Sequence, residues 1–389
     1  MARRTQRTWR PGIDKMTALS RDIFPMNAHS KIAFSRRPTD RPVAVGVRAD
    51  LLKDPGFGKV FTDHMVTIRW TQDRGWHDAK VCARAPITLD PAAAVLHYGQ
   101  EIFEGLKAYN LSDGSIALFR PEQNARRFQA SAARMTMPDL PEAVFLQAVE
   151  ELVKIDSAWI PKGDGSLYLR PFMFATEAFL GVRPSYEYLF ILIASPVGSY
   201  FKGGERPVTV WLTDCYTRAA VGGTGAAKCG GNYAASLLAL AEAMKNGCDQ
   251  VVFLDAVERR WVEELGGMNV FLVMDDGSLV TPPLSGTILP GITRDAIITL
   301  ARKEGRTVRE ERYSIDQWRA DAASSKLKEA FACGTAAVVA SIGKVKSSAG
   351  DIVIADGSTG PVTAAIKAKL VGIQRGDIAD EFGWVRRIS

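Results

Sequence analysis

Lys228 is the residue whose surroundings best fit covalent chemistry. It lies in GGTGAAKCGGNYAAS, residues 222–236, among glycines and alanines, with Tyr233 five positions further on. A lysine attacks a carbonyl only as the free amine, so its pKa must fall well below the ordinary value near ~10.4. Burial in an apolar, glycine-lined pocket lowers it. Small neighbours also leave room for a flat, bulky group on the nitrogen. Taken alone, the same stretch equally describes a surface lysine in a flexible Gly-rich loop. A phosphate-cradling GxxxxGK[ST] loop is excluded, because Cys229 follows the lysine.

Two further groups suit the same chemistry. Glu264, in WVEELGGMN (261–269), is a strand carboxylate followed by Gly266 and Gly267. A carboxylate beside a pyridine nitrogen keeps that ring protonated and able to take up electrons. LPGITRD (289–295) puts Ile292 and Thr293 at a helix start, where free N–H groups and the positive dipole end favour an anion. CGTAA (333–337) adds a Gly-Thr turn with the Thr335 hydroxyl, and Arg127 is the candidate cation for bidentate phosphate contact. Each has a plainer reading as a solvent-facing glutamate, a cap, a turn or a surface arginine. Together with Lys228 they match the needs of pyridoxal 5'-phosphate: an amine, a partner for the ring nitrogen and a phosphate cup.

The elements that must position these residues can be read coarsely. Strands are expected at 66–70, 115–119, 166–176 and 187–195, with helices at 121–135, opened by Pro121, and 141–156. GSYFKGGERP (198–207) has the Gly, Pro and charge density of a linker. Beyond it come a strand at 208–214, a helix at 232–247 and short strands through 281, with DDG (275–277) as a hairpin turn. A helix at 293–305 reads as capped by Thr293 and stopped by Gly305; Ser314 and Gln317 have capping-box spacing. The pattern is mixed α/β (α+β). It divides into a basic, disordered extension (1–50), a small N-terminal domain (51–197), the linker and a large cofactor-binding domain (208–389).

Bulk composition narrows the class. At 389 residues two domains are the default, and 47% hydrophobic with 24% charged residues is ordinary for a globular chain. The net charge of +6 misleads: residues 1–48 hold 11 Lys/Arg against 3 Asp, so the remainder is slightly acidic. That argues against a nucleic-acid surface on the folded body. The Arg-rich front reads as a floppy leader, a start upstream of Met16 or a transit peptide; the expected location is cytoplasmic, or organellar under the last reading. No apolar run is long enough for a membrane span. Five dispersed cysteines fit reduced thiols, and four histidines without HxH or HxxxH spacing argue against a metal.

The residues then name a family. LHYGQEIFEGLKAY (96–109), FRPEQNARRF (119–128), LYLRPFMFA (167–175), the Lys228 stretch, EELGGMN, ILPGITR and FACGTAA together resemble branched-chain amino acid aminotransferases, of the fold type IV group of pyridoxal-phosphate enzymes. The resemblance runs from about Phe57 to the C-terminus. It implies a smaller N-terminal α/β domain, a larger C-terminal pseudo-barrel domain and a homodimer. It also implies that Lys228 holds the cofactor and moves a proton, Tyr233 meets its phenolate and Glu264 its ring nitrogen. Arg127, Ile292, Thr293 and Thr335 would bind phosphate. Phe57, Tyr98, Phe103, Tyr168 and Tyr200 would line the side-chain pocket, with Leu180 reaching in from a partner subunit. Amides near Thr335 and Ala336 would take the substrate carboxylate, with Arg170 and Tyr98 beside them.

The activity implied is two-stage transfer between L-leucine, L-isoleucine or L-valine and 2-oxoglutarate. Within the same fold the rivals are D-amino acid or (R)-amine aminotransferases and aminodeoxychorismate lyases; outside it, a relative without turnover. The chain departs from the pattern twice. Ala337 and Ala340 stand where mammalian-type members carry a CxxC pair, and Gly267 stands where a threonine is common.

Overall fold

The computed structural model describes residues 32–198 and 206–388. Its strands, in chain order, are β1 (Ser35–Arg37), β2 (His64–Thr71), β3 (Gly75–Ala83), β4 (Glu101–Phe103), β5 (Leu106–Asn110), β6 (Ile116–Phe119), β7 (Ser166–Ala175) and β8 (Glu187–Val197). After 206 follow β9 (Val208–Leu212), β10 (Gln250–Leu254), β11 (Val262–Leu265), β12 (Asn269–Met274), β13 (Leu279–Thr281), β14 (Val308–Glu310), β15 (Leu327–Gly334), β16 (Val338–Lys346), β17 (Ile352–Val353) and β18 (Val385–Ile388). They form two nine-stranded sheets. The first runs β1-β3-β2-β8-β7-β5-β6-β18 with β4 on β7; the second runs β11-β10-β9-β16-β15-β12-β13-β14 with β17 on β16.

The first sheet packs on the helices Pro121–Arg134 and Glu142–Ile155. Val144, Phe145, Ala148, Val149, Leu152 and Val153 repeat at helical spacing and are all fully buried. They meet Val66, Ile68, Phe128 and Phe190, and each large aliphatic side chain so buried contributes ~1.5–3 kcal/mol. A separate core joins the two portions: Tyr109 and Phe119 of the first sheet and the adjoining Leu111 lie with Phe271 and Phe331 of the second sheet and with Leu300 and Leu370 on the helices Ile292–Lys303 and Pro361–Arg375.

Pro171 sits inside β7, where a missing N–H normally breaks a ladder. The break falls where β7 changes partner. β5 pairs with residues 167–169, β4 pairs with 172–174, and the Pro171 carbonyl between them accepts from Glu104 N–H at 2.7 Å. Tyr168 and Arg170 therefore flank a handover point in the sheet, next to the FEG turn.

Several boundaries differ from the sequence reading. Residues 32–50, assigned to the extension, contain β1, which pairs in parallel with β3, and a helix at Val45–Leu51. β18, at the end of the second portion, crosses back to pair with β6 of the first sheet. The 232–247 helix is two helices, Gly230–Ala234 and Leu237–Lys245. Thr293 is not a cap: Gly291 is, and Ile292 opens the helix Ile292–Lys303. Residues 199–205, most of the linker, and residues 1–31 lie outside the described residues.

Candidate active site

Lys228 ends a tight loop and faces β4. Its N–H donates to Ser131 Oγ at 2.9 Å, and its carbonyl accepts from Phe103 N–H at 2.9 Å. Its Nζ lies 2.9 Å from Tyr233 Oη and 4.7 Å from the centre of the Phe103 ring. The short helix Gly230–Ala234 brings Tyr233 back to the lysine, and the Tyr233 and Phe103 rings are 4.9 Å apart. Burial and the nearby Arg127 cation lower the Lys228 pKa to about 8, which makes the free amine accessible near neutrality. Burial likewise pushes Tyr233 up to about 12, so its hydroxyl keeps its proton and can donate. The surface-loop reading of Lys228 is thus set aside.

Glu264 is 2% exposed, on β11. Its Oε1 pairs with Arg218 Nη1 at 2.7 Å and accepts Leu289 N–H at 3.0 Å; Oε2 takes Asn269 Nδ2 at 3.4 Å. Burial raises its pKa to about 7, with Arg218 pulling the other way. Glu264 also acts electrostatically on Tyr233 and Lys228, so the three groups share one site. The following Gly266 and Gly267 leave space beside Tyr233: a Cβ on Gly267 would rest 3.7 Å from Tyr233 Cε1, an ordinary contact.

Arg127 is buried and its fork is turned to Glu104, with Nε at 2.7 Å and Nη2 at 2.8 Å. The bidentate contact assigned to phosphate is made here to a carboxylate. Glu104 is fully buried and needs a counter-ion; burial would raise its pKa, but Arg127 holds it below the usual range. Nη1 also donates to Pro290 O at 3.2 Å. A guanidinium has five N–H donors, so two remain for a further anion.

Around that cation lie the other anion-binding groups. Thr335, Ile292 and Thr293 line one small cavity with Gly105, Asn124 and Lys107. Ile292 and Thr293 are the first two residues of their helix, so their N–H groups have no intrahelical acceptor. Two glycines make the cup possible. A Cβ at Gly105 would lie 2.1 Å from Tyr168 Oη, and one at Gly291 would lie 2.0 Å from Asn269 Oδ1. An amine, a carboxylate and a phosphate cup arranged in this way suit a flat pyridine ring with a phosphate tail.

The substrate side is looser. Phe57 is 40% exposed and stacks edge-on with Tyr168 at 5.1 Å. Arg170 Nη2 donates to Tyr168 Oη at 3.2 Å, and its guanidinium lies over the Phe103 ring at 4.7 Å. Its buried Nε meets no hydrogen-bond acceptor among the described residues. Tyr98 Oη donates to the Leu180 carbonyl of the same chain, while the Leu180 side chain points outward. Ala336 presents its carbonyl to Lys107 Nζ at 2.7 Å. Tyr200 lies outside the described residues.

Four contributors escaped the sequence reading: Arg218, Glu104, Ser131 and Lys107. Glu104 and Lys107 stand inside the FEGLKAY motif, so a signal existed for them. Arg218 and Ser131 stand in unremarkable stretches, and only tertiary contact picks them out. Among the described residues no group of His, Cys, Asp and Glu could hold a metal.

Comparison with known proteins places this geometry. A family model described as amino-transferase class IV matches residues 101–345. The branched-chain-amino-acid aminotransferase of Mycolicibacterium smegmatis is 55% identical over 363 residues, covering 92% of this chain and 99% of that protein. The solved structure of a branched-chain amino acid aminotransferase from Escherichia coli superposes with a TM-score of 0.69 at 28% identity, covering 84% of this chain and 99% of that one. The branched-chain amino acid aminotransferase of Thermobaculum terrenum, in its PLP-form, gives 0.66 at 25% identity, covering 83% and 98%. The chain belongs to the class IV aminotransferase family.

Proposed function

We infer that this protein is a branched-chain amino acid transaminase, moving an amino group between L-leucine, L-isoleucine or L-valine and 2-oxoglutarate. The observation that carries the reading is Lys228, a partly buried amine held 2.9 Å from Tyr233 Oη with Glu264 and Arg127 acting on the same site. Relatives of the same name at high identity over nearly the whole chain support the substrate class.

Pyridoxal 5'-phosphate is the cofactor assigned to this cleft. When bound, it supplies a protonated ring that takes up the electron pair released at the substrate α-carbon. The chain supplies the rest. Lys228 Nζ would hold the cofactor and, when free, would carry the proton between the substrate α-carbon and the cofactor. Tyr233 would donate to the ring's phenolate oxygen. Glu264, whose charged form Arg218 favours, would face the ring nitrogen. The two spare N–H donors of Arg127, the Ile292 and Thr293 amides and the Thr335 hydroxyl would receive the phosphate.

Phe57, Tyr98, Phe103, Tyr168 and Leu180 form the aromatic and aliphatic wall for a branched side chain. Amides at Thr335 and Ala336 take the α-carboxylate. Arg170, whose Nε has no acceptor among the described residues, receives the second carboxylate of 2-oxoglutarate. The carrier is covalent, so the two substrates react in turn at one site. Exposed Leu180, Val182 and Leu96 near the mouth support a homodimer completed across that face. Five free cysteines suit a reducing, cytoplasmic setting.

A coupled glutamate assay across L- and D-amino acids tests the reading. L-leucine, L-isoleucine and L-valine are expected to lead. D-alanine turning over faster than L-leucine with 2-oxoglutarate would overturn the substrate assignment. Light scattering that finds a monomer would remove the dimer.

A further inference from the structure

We propose that Glu101 is a positioning residue that pins the Lys228 loop through the Gly230 amide and, by its charge, limits the hold of Arg170 on a dicarboxylate substrate. The second half rests on the reading that Arg170 receives the far carboxylate of 2-oxoglutarate.

Glu101 lies on β4, the three-residue strand that joins the first sheet only through β7. Glu101 is opposite Phe174, and Phe103 is opposite Phe172. Paired residues and alternate residues share a face, so Glu101, Phe103 and Arg170 point to one side of the sheet. On that side Phe103 touches both cations, with Arg170 and Lys228 each 4.7 Å from its ring centre.

β4 also grips the lysine loop at two points. Phe103 N–H donates to the Lys228 carbonyl, and the Glu101 carboxylate accepts Gly230 N–H, which opens the short helix carrying Tyr233. Glycine at position 230 leaves the carboxylate room for this contact: a Cβ there would lie 2.4 Å from Glu101 Oε1 and push it aside. The strand thus ties the substrate wall on β7 to the segment that carries Lys228.

The carboxylate is costly where it stands. Burial raises its pKa, while the Gly230 N–H and the Arg170 cation act to lower it. Its charge answers a problem that a two-substrate site poses. With an aliphatic side chain bound, Arg170 has no carboxylate from substrate, and among the described residues its Nε has no acceptor. With a dicarboxylate bound, an unopposed Arg170 would hold substrate and product too tightly to turn over quickly. A fixed negative charge nearby steadies the cation in the first state and weakens its grip in the second.

Two substitutions separate the two effects. Glu101→Gln keeps an oxygen acceptor for Gly230 and removes the charge; Glu101→Ala removes both. In the Gln variant, KM for 2-oxoglutarate is expected to fall roughly three- to ten-fold, while KM for L-leucine moves by less than about two-fold. In the Ala variant, amide hydrogen exchange across residues 226–234 is expected to speed up and kcat to fall about ten-fold with either substrate; Gln restores both. Parallel KM changes in the Gln variant would overturn the charge effect, and unchanged exchange in the Ala variant would overturn the pinning. Arg170→Met serves as the control. If it leaves KM for 2-oxoglutarate unaltered, the reading of Arg170 fails and the charge effect with it. The exchange measurement needs no substrate and judges the pinning on its own.

Discussion

The two ends of the cleft are built by opposite means. At the cofactor end, Glu264, Arg218, Arg127, Glu104 and Thr293 are buried, and the four charged groups form two ion pairs, Arg218 with Glu264 and Arg127 with Glu104. At the substrate end, Phe57 and Tyr98 are each 40% exposed, Leu180 is 67% exposed, and the contacts are ring faces and the hydroxyls of Tyr98 and Tyr168. The first end receives one group of constant shape and charge. The second must accept an aliphatic chain and a carboxylate in turn. Rigid pairing of buried charge gives fixed geometry, whereas half-exposed aromatic surface tolerates change.

Substitutions should expose that contrast. Lys228→Ala removes the covalent contact and the proton carrier together. Activity in the coupled assay should drop by about 10⁴ or more, since a nucleophile and its proton chemistry act as one unit. Full activity in a folded Lys228→Ala protein would end the proposed chemistry.

Arg127→Met strikes the rigid end differently. It leaves Glu104 charged in a fully buried position, and breaking such a pair costs about 3–5 kcal/mol. Denaturant unfolding of the cofactor-free protein should show that loss, and conversion of both partners, Arg127→Met with Glu104→Leu, should recover much of it. If the single variant unfolds at the wild-type midpoint, the pair is not the support it resembles.

The pH response sharpens the same point. Below about 8 the Lys228 amine is mostly protonated and cannot bond a carbonyl; above that it can. Capture of pyridoxal phosphate by cofactor-free protein, followed by absorbance, should therefore quicken as pH rises through about 8 and then level off. The Arg127 cation is among the groups that depress this pKa, so in Arg127→Met the midpoint should move to higher pH. Tyr233→Phe loses one hydrogen bond to Nζ, and kcat should fall about ten-fold, the equivalent of ~1.4 kcal/mol.

At the open end the effects should be small. Leu180→Ala removes a mostly exposed side chain, so stability should shift by less than about 0.5 kcal/mol. KM for L-leucine should rise a few-fold only if Leu180 meets substrate across a dimer. Measurement below and above the dimer dissociation concentration would separate the two cases.

Much of the candidate site was legible because its chemistry is local. A lysine among small residues, a helix opening after LPG and a Gly-Thr turn each carry their signal within a few positions; Ile292, Thr293 and Thr335 line one cavity, and Lys228 meets Tyr233. The misreadings also have local causes. Thr293 looked like a cap because Ser/Thr residues favour that position, yet Gly291 holds it, where Asn269 leaves no room for a side chain. The 232–247 run has continuous helix-forming residues, but the chain turns at Ala235 and Ser236, where the Ser236 hydroxyl donates to the Tyr233 carbonyl instead of continuing one rod.

The sequence by itself determined which chemistry is available: residue types with the right donors and charges, glycines where backbones approach, and strands and helices with their periodicities. The tertiary structure alone decided how that chemistry is paired. It brought Arg218 to Glu264 across 46 positions and Glu104 to Arg127 across 23, and it returned the last strand to the first sheet. It also gave Lys228 its lowered pKa. These depend on what surrounds a group and excludes water from it, and no short stretch of sequence contains its own surroundings.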